Sequence, residues 1–339
     1  MQTSTFHYAY PGSLVATEPR ADFRTLVCSK ASASHYQEIT REDIFSLFQE
    51  GDVLAINDTR VLRRRVTAPN GFEILFLNSK NGEDWDVLCP ARSVRDGEDI
   101  PLPNGVRAQI VERGLPQRLR VSEPLTEDYF ARFAELALPP YIQKARLQRH
   151  NGPDEEKWYQ TAWASQAGSY AAPTASLHFS WGDLSRWENI GVTIAPFTLH
   201  VGLGTFLPVK AKNLNDHVMH AEPVFIPQSS IQKIQKAKRE GGKVWALGTT
   251  AVRALESWGA GRLHETPEGD YAGSTDLFIR PGFHFTVVDR LMTNFHQPES
   301  TLLALVAAFS GLENTLAAYE WAISRKFRLF SYGDLSIWI

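Results

Sequence analysis

The chain has 339 residues, 43% hydrophobic and 22% charged, with a formal net charge of −3 at pH 7. That length predicts about two domains with cores of their own. The composition excludes a disordered chain, and the near-neutral balance excludes a uniformly basic nucleic-acid binder, so RNA contact rests on a local basic patch.

Cys28 and Cys89 are far apart in apolar contexts, against a disulfide framework or thiolate metal cage and in favour of a reducing cytoplasm. The opening MQTSTFHYAYPGS has neither a basic cap nor an apolar core, so no secretory leader is expected. The longest apolar run, residues 302–309, is far short of the about 20 residues that span a bilayer. The expectation is a soluble cytoplasmic monomer with no membrane partner.

In chain order, residues 40–51 read as a helix capped by Thr40, with Asp43 completing a capping box, Ile44, Leu47 and Phe48 on one face, and Gly51 as the stop. Residues 53–56 form a buried strand running into Asn57-Asp58-Thr59-Arg60. After Arg65 come short apolar runs at 72–77, 85–88, 106–111 and 119–121, punctuated by Asn70-Gly71, Asn81-Gly82, Asp96-Gly97 and Asn104-Gly105. This is hairpin chemistry and predicts a small antiparallel barrel or sandwich, closed by a short helix over 126–136, with Pro139-Pro140 as the exit. From about Trp158 the texture alternates again: strand 192–201 despite Pro196, helix 230–240, strand 244–248, helix 249–258, strand 287–295 and closing helices 300–309 and 314–325. The predicted architecture is α/β, with a mixed-sheet main domain made from both chain ends (1–62 and 151–339) and an inserted small antiparallel β-barrel domain (63–150).

Four segments place glycine, histidine and small polar residues at predicted strand ends, where open α/β sheets bind ligands. The first is Gly168-Ser169-Tyr170-Ala171-Ala172-Pro173-Thr174-Ala175-Ser176-Leu177-His178, whose small residues suit close approach of a ligand and whose His178 suits a base or donor. In the second, Thr198-Leu199-His200-Val201-Gly202-Leu203-Gly204-Thr205-Phe206, Thr198 and His200 share a strand face, and Gly202 and Gly204 leave room for a ligand. The third, Asp216-His217-Val218-Met219-His220-Ala221-Glu222, crowds two histidines and two carboxylates. It lacks the helical metal signature, so a base or substrate-binding cluster is preferred over a metal site. The fourth, Gly248-Thr249-Thr250-Ala251-Val252-Arg253, runs a strand into a helix N-terminus, which suits an anion, with Arg253 as a clamp. Asn294 and His296 form a related corner. Arg60, Arg63, Arg64 and Arg65 at one predicted domain junction, with Lys144, Arg146, Arg149 and His150 at the other, form the candidate RNA-gripping patch.

Together these stretches resemble the S-adenosylmethionine:tRNA ribosyltransferase-isomerase family, which makes epoxyqueuosine. Asn57-Asp58-Thr59-Arg60-Val61, Leu138-Pro139-Pro140-Tyr141-Ile142, Tyr159-Gln160-Thr161, Ala171-Ala172-Pro173-Thr174-Ala175 with Leu177-His178-Phe179, the whole second segment, Met219-His220, Gly248-Thr249-Thr250 with Val252-Arg253, Thr293-Asn294-Phe295-His296 with Ser300-Thr301-Leu302, and Phe330-Ser331-Tyr332-Gly333-Asp334 run in family order over nearly the whole chain. The sequence departs from the pattern at Phe23, Phe72, Ser176, Ala221 and Gln297.

The resemblance implies two substrates, S-adenosylmethionine and a tRNA with a GUN anticodon bearing 7-aminomethyl-7-deazaguanine at the wobble position. S-adenosylmethionine is consumed, and neither cofactor nor metal is expected. A base near neutrality favours histidine, so His178, His200, His220 and His296 are the candidate bases, with Glu222 as partner or alternative. Arg253 and the Thr249-Thr250 amides are expected to hold an anionic group, Asn57, Asp58 and Asn294 to read the edge of the base, and Thr174, Gly202 and Gly204 to border the substrate. Two alternatives stay open: a non-catalytic RNA-binding paralogue, and a metal-dependent hydrolase using His217, His220 and Glu222.

Overall fold

Val53–Asn57, a run of five buried residues, lies inside the larger of two main sheets and pairs in parallel with Thr193–Leu199 on one side and Val244–Leu247 on the other. Val244–Leu247 in turn pairs in parallel with Arg290–Asn294. A computed structural model describes residues 1–29, 35–95, 97–148, 150–202, 204 and 211–339. Among these the chain divides into two units, Met1–Val61 with Pro139–Gln148 and Lys157–Ile339, and Leu62–Leu138 with Arg149–Glu156. The expected insertion at 63–150 therefore differs in detail. The helix Pro140–Arg146 belongs to the larger unit, where Tyr141 bonds Ser331 and Arg146 bonds the Thr17 carbonyl.

The larger unit carries a ten-stranded mixed sheet. Its order is His264–Glu265, Tyr271–Thr275, Glu222–Ile226, Thr193–Leu199, Val53–Asn57, Val244–Leu247, Arg290–Asn294, Leu335–Trp338, Thr25–Cys28, Tyr36–Ile39. The four central strands are parallel and nearly continuously buried, as expected of strands covered on both faces. Pro196 is tolerated within Thr193–Leu199, opposite Ile56. The C-terminal strand Leu335–Trp338, fully buried, inserts between Arg290–Asn294 and Thr25–Cys28. One core face gathers Leu54, Ile56, Phe48, Trp187, Trp245 and Leu247, with Phe48 stacked on Trp245 at 3.9 Å.

The helix expected over 40–51 is shorter, Arg41–Phe45, although Thr40 and Asp43 form the predicted capping box. Among the described residues no single helix is long and apolar enough to cross a membrane. The apolar helices Thr301–Ser310 and Leu312–Ser324 meet at 111°, and bury Leu303, Leu305, Val306 and Tyr319.

The smaller unit is a seven-stranded antiparallel sheet ordered Ala134–Leu136, Arg63–Thr67, Glu73–Ser79, Asp84–Leu88, Gln117–Val121, Arg107–Glu112, Ile100–Pro101. It curls around Val66, Ile74, Phe76, Trp85, Val87, Leu119 and Phe130. The end strands do not pair with each other, so it is a half-barrel where a barrel was expected. Asn104 and Gly105 both take positive φ, +62° and +78°, and Leu102 N–H donates to Val106 O at 2.8 Å. That is the tight hairpin which an Asn-Gly pair favours.

Candidate active site

Parallel strands send their carboxyl ends to one side, so the loops that leave them gather there. In the larger unit these loops enclose a cavity of about 340 Å³. Val201 and Gly204 follow Thr193–Leu199, Gly248, Thr249 and Thr250 follow Val244–Leu247, and Thr293 to Leu302 continue from Arg290–Asn294. Leu203, Thr205 and Phe206 of the second segment lie outside the described residues, as does Arg149.

Gly248 makes the corner between strand and helix. It holds φ +91°, which glycine adopts without the side-chain penalty, and its N–H donates to Met292 O at 2.7 Å. The helix Thr249–Gly259 then begins at the cavity. The N–H groups of Thr249 and Thr250 have no intrahelical carbonyl to reach, and Thr250 Oγ1 is enclosed without a partner among the described residues.

Arg253, one turn further on, lines the cavity, but it is not the open clamp expected of it. Its Nη1 is ion-paired with Glu222, Nε donates to Leu277 O at 3.2 Å and Nη2 to Thr275 O at 3.3 Å. The other Glu222 oxygen accepts the Gly202 N–H at 2.8 Å. A buried guanidinium without a counter-ion costs several kcal/mol, and Glu222 meets that need. Glu222 is thereby committed, both as the alternative base and as the ligand that a hydrolase centre with His217 and His220 would require. Among the described residues no group of three His, Cys, Asp or Glu comes together to hold a metal.

The four candidate histidines do not all share the cavity. His220 and His296 line it, together with His217. His178 does not: its Nε2 accepts from Asn294 Nδ2 at 3.1 Å, and Asn294 Oδ1 accepts from Thr174 Oγ1 at 2.8 Å, so His178 lies one hydrogen bond behind the cavity wall. Burial, with Arg328 and Arg41 adding, pushes His178 down to about 3. His200 also lies outside the lining. Its Nδ1 sits 2.8 Å from Thr59 Oγ1, and its ring covers Gly168 so closely that a Cβ there would come within 2.7 Å. Burial lowers the His200 pKa against an opposing pull from Asp58.

His296 is 8% exposed, and burial pushes it to about 3. Its Nε2 lies 2.9 Å from Thr293 Oγ1, its N–H donates to the Tyr319 hydroxyl at 3.0 Å, and its carbonyl accepts from the Tyr8 hydroxyl. His217, at the edge, is lowered by burial and by His220 beside it.

Asn57 and Asp58, expected to read a base edge, are parts of the scaffold outside the cavity lining. Asn57 is 0% exposed. Its Nδ2 donates to Leu199 O at 2.9 Å, while Oδ1 accepts from Leu199 N at 3.0 Å and Thr59 N at 3.1 Å, tying two strand ends together. Asp58 accepts from Thr198 Oγ1 at 2.6 Å and Ser165 Oγ at 3.2 Å. Thr174, Asn294 and Gly204 do line the cavity, whereas Gly202 backs onto Glu222.

The arginine run also differs from an open patch. Within the smaller unit Arg63 pairs with Glu156 at 2.7 Å, Arg64 with Glu127 at 2.5 Å and Arg65 with Glu135 at 2.6 Å. Arg64 and Arg65 are buried, Arg64 over the Phe130 ring at 4.2 Å. Within the larger unit Arg146 holds the Thr17 carbonyl, and Arg60 and Lys144 are exposed.

Sequence reasoning gave no role to Tyr141, Phe330, Ser331 or Glu299, all in the lining. Tyr141 and Ser331 are hydrogen-bonded to each other, and Glu299 holds φ +57° beside the Ser300 cap. The family stretches around Tyr141 and Ser331 were the available signal, but they contain no histidine or paired charge to suggest chemistry. Of the departures from the pattern, Phe23 packs on the His178 ring at 4.3 Å, and Ser176 is buried with its hydroxyl unpartnered among the described residues. Phe72 packs on the smaller core, Gln297 lines the cavity and Ala221 is exposed.

Fold and cavity define a mixed-sheet α/β protein with a cavity at its strand ends and an antiparallel half-barrel as its second unit. A family model described as "Queuosine biosynthesis protein" matches residues 3–338. The S-adenosylmethionine:tRNA ribosyltransferase-isomerase of Geotalea uraniireducens is 42% identical over 346 residues, covering 98% of each chain. Its namesake from Polynucleobacter necessarius is 40% identical over 350 residues, covering 98% of this chain and 97% of that one. The crystal structure of S-adenosylmethionine tRNA ribosyltransferase from Thermotoga maritima aligns with a TM-score of 0.57 and 28% identity, over 99% of this chain and 100% of that one. The chain belongs to the queuosine biosynthesis protein family.

Proposed function

We propose that this protein transfers and isomerises the ribosyl group of S-adenosylmethionine onto 7-aminomethyl-7-deazaguanine at the wobble position of tRNA, releasing adenine and methionine and leaving epoxyqueuosine. The observation that carries this reading is kinship over 98% of the chain, both units included, with relatives named for that reaction. The reading includes a monomeric cytoplasmic enzyme, tRNAs with a GUN anticodon, and no cofactor.

The sulfonium acidifies the neighbouring 5′ C–H. A base takes that proton, the sugar opens and adenine leaves. The aminomethyl nitrogen attacks, the ring recloses as an epoxy-cyclopentane, and methionine departs. The sulfonium is the electron sink. In the cavity, the Thr249 and Thr250 N–H groups suit the methionine carboxylate at the positive end of a helix. His178 and His200 are committed within the walls, and the low pKa that burial gives His296 makes it a weak base, so among the four candidate histidines the proton-taking role falls to His220.

The test is incubation with S-adenosylmethionine and tRNA carrying the modified base, with free adenine and methionine measured. Equal release of both is expected; intact S-adenosylmethionine after prolonged incubation would sink the reading. Metal dependence, read as loss of turnover with chelator, would instead favour the hydrolase alternative.

A further inference from the structure

His296 is held in the cavity wall by three hydroxyl groups. Two buried tyrosine hydroxyls hold its backbone, one at N–H and one at the carbonyl, and their rings meet edge to face at 5.2 Å. A third hydroxyl, on Thr293, holds Nε2. Nδ1 has no partner among the described residues, and His296 is one of the residues that line the cavity.

The Thr293 hydroxyl favours one of the two positions for the ring proton. Thr293 is 1% exposed, and the only partner of its Oγ1 among the described residues is His296 Nε2. If Nε2 donated to it, the hydroxyl proton would have nowhere to go, and an unsatisfied buried donor is costly. The satisfied arrangement has the hydroxyl donating to Nε2, which puts the ring proton on Nδ1. Burial lowers the pKa of the ring, which makes it a poor base and keeps it uncharged but leaves it a hydrogen-bond donor. Neutral imidazole serves in this way in enzymes that polarise an oxygen as it gains charge.

We infer that His296 is a neutral hydrogen-bond donor whose Nδ1–H meets the sugar oxygen of the substrate as the ring opens, and that Thr293, Tyr8 and Tyr319 are its positioning residues. This deepens the function proposed above and rests on it. When the sugar opens, the electron pair of the broken carbon–oxygen bond passes to the ring oxygen, then forms a carbonyl as the bond to adenine breaks and its pair leaves with adenine. His296 gives up no proton in this step. It stabilises the oxygen while that oxygen carries the charge, an interaction stronger in the transition state than in the ground state, and so one that raises kcat more than it lowers KM.

The test has two parts. Nitrogen-15 NMR of the unmodified protein should show His296 protonated on Nδ1, bare on Nε2 and unchanged between pH 5 and 8 on the scale where ordinary histidine titrates, near about 6.5. A bare Nδ1, or titration within that range, overturns the inference. In turnover, His296→Ala should slow adenine release about 10²–10³-fold, the scale for losing one such donor, with little change in KM for S-adenosylmethionine. His296→Asn, which keeps an N–H near Nδ1, should recover part of the rate. Thr293→Val should lower kcat and Thr293→Ser should restore it, with melting temperature followed in each. Parental kcat in His296→Ala overturns the inference while leaving the function standing. If the parent protein releases no adenine, the function fails and the NMR still decides the tautomer.

Discussion

Glu222 and Arg253 form an ion pair in the cavity wall with side chains only 6% and 8% exposed. The pair holds the strand Glu222–Ile226 to the helix Thr249–Gly259, and both residues look like free chemistry in the sequence. Glu222→Ala would leave Arg253 buried without its counter-ion, and such unpaired charges cost about 3–5 kcal/mol. Urea denaturation should show a loss of that order. A Glu222→Ala variant with parental stability would mean that the carboxylate is available for catalysis after all.

Gly168 and His200 make a second, purely steric prediction. A Cβ at Gly168 would lie 2.7 Å from the His200 ring, so Gly168→Ala must displace the imidazole from Thr59. Overpacking of this kind costs about 1–3 kcal/mol. Combining it with His200→Ala should recover part of the loss, a non-additivity expected of residues in contact. Additive losses in thermal melts would contradict the contact.

Acid stability follows from the buried histidines. His178 and His296 sit at about 3 in the folded protein against 6.5 for the ordinary group. The unfolded chain therefore binds protons below pH 6.5 that the native state refuses, and stability is lost as pH falls from 6.5 toward 3. The slope is about 1.4 kcal/mol per pH unit for each ring. Denaturation midpoints measured from pH 7.5 to 5 should drop, and His296→Asn should flatten the decline. A pH-independent midpoint in the parent would show that both rings titrate normally.

The basic residues separate into two kinds. Arg60 and Lys144 are exposed, so Arg60→Ala and Lys144→Ala should leave stability within about 0.5 kcal/mol and, where each meets a phosphate, lower the salt slope of tRNA binding by about 1. Arg64→Ala removes a buried guanidinium from Phe130 and Glu127 and should destabilise the smaller unit instead. Parental melting of Arg64→Ala with a reduced salt slope would reverse this assignment.

Local chemistry was legible in the chain alone. Thr40 and Asp43 predicted a capping box, Asn104-Gly105 a hairpin turn and Gly248-Thr249-Thr250 a strand-to-helix corner, because each depends on residues within a few positions of one another. The α/β alternation and the change of texture after Arg65 are likewise local, and the ordered family stretches point to a common reaction.

What the chain alone left open depends on partners far away in sequence. Which histidines reach the cavity was decided by Asn294 for His178, by Thr59 and Gly168 for His200, and by Tyr8 and Tyr319 for His296. Arg64, Arg65 and Arg253 look alike as letters to any exposed arginine, yet each is buried in the fold and paired with a carboxylate from a distant segment. Sequence determines which groups a chain carries and how each short stretch turns. Only the packed structure decides which of those groups are spent on one another, because desolvation and pairing are properties of the assembled environment.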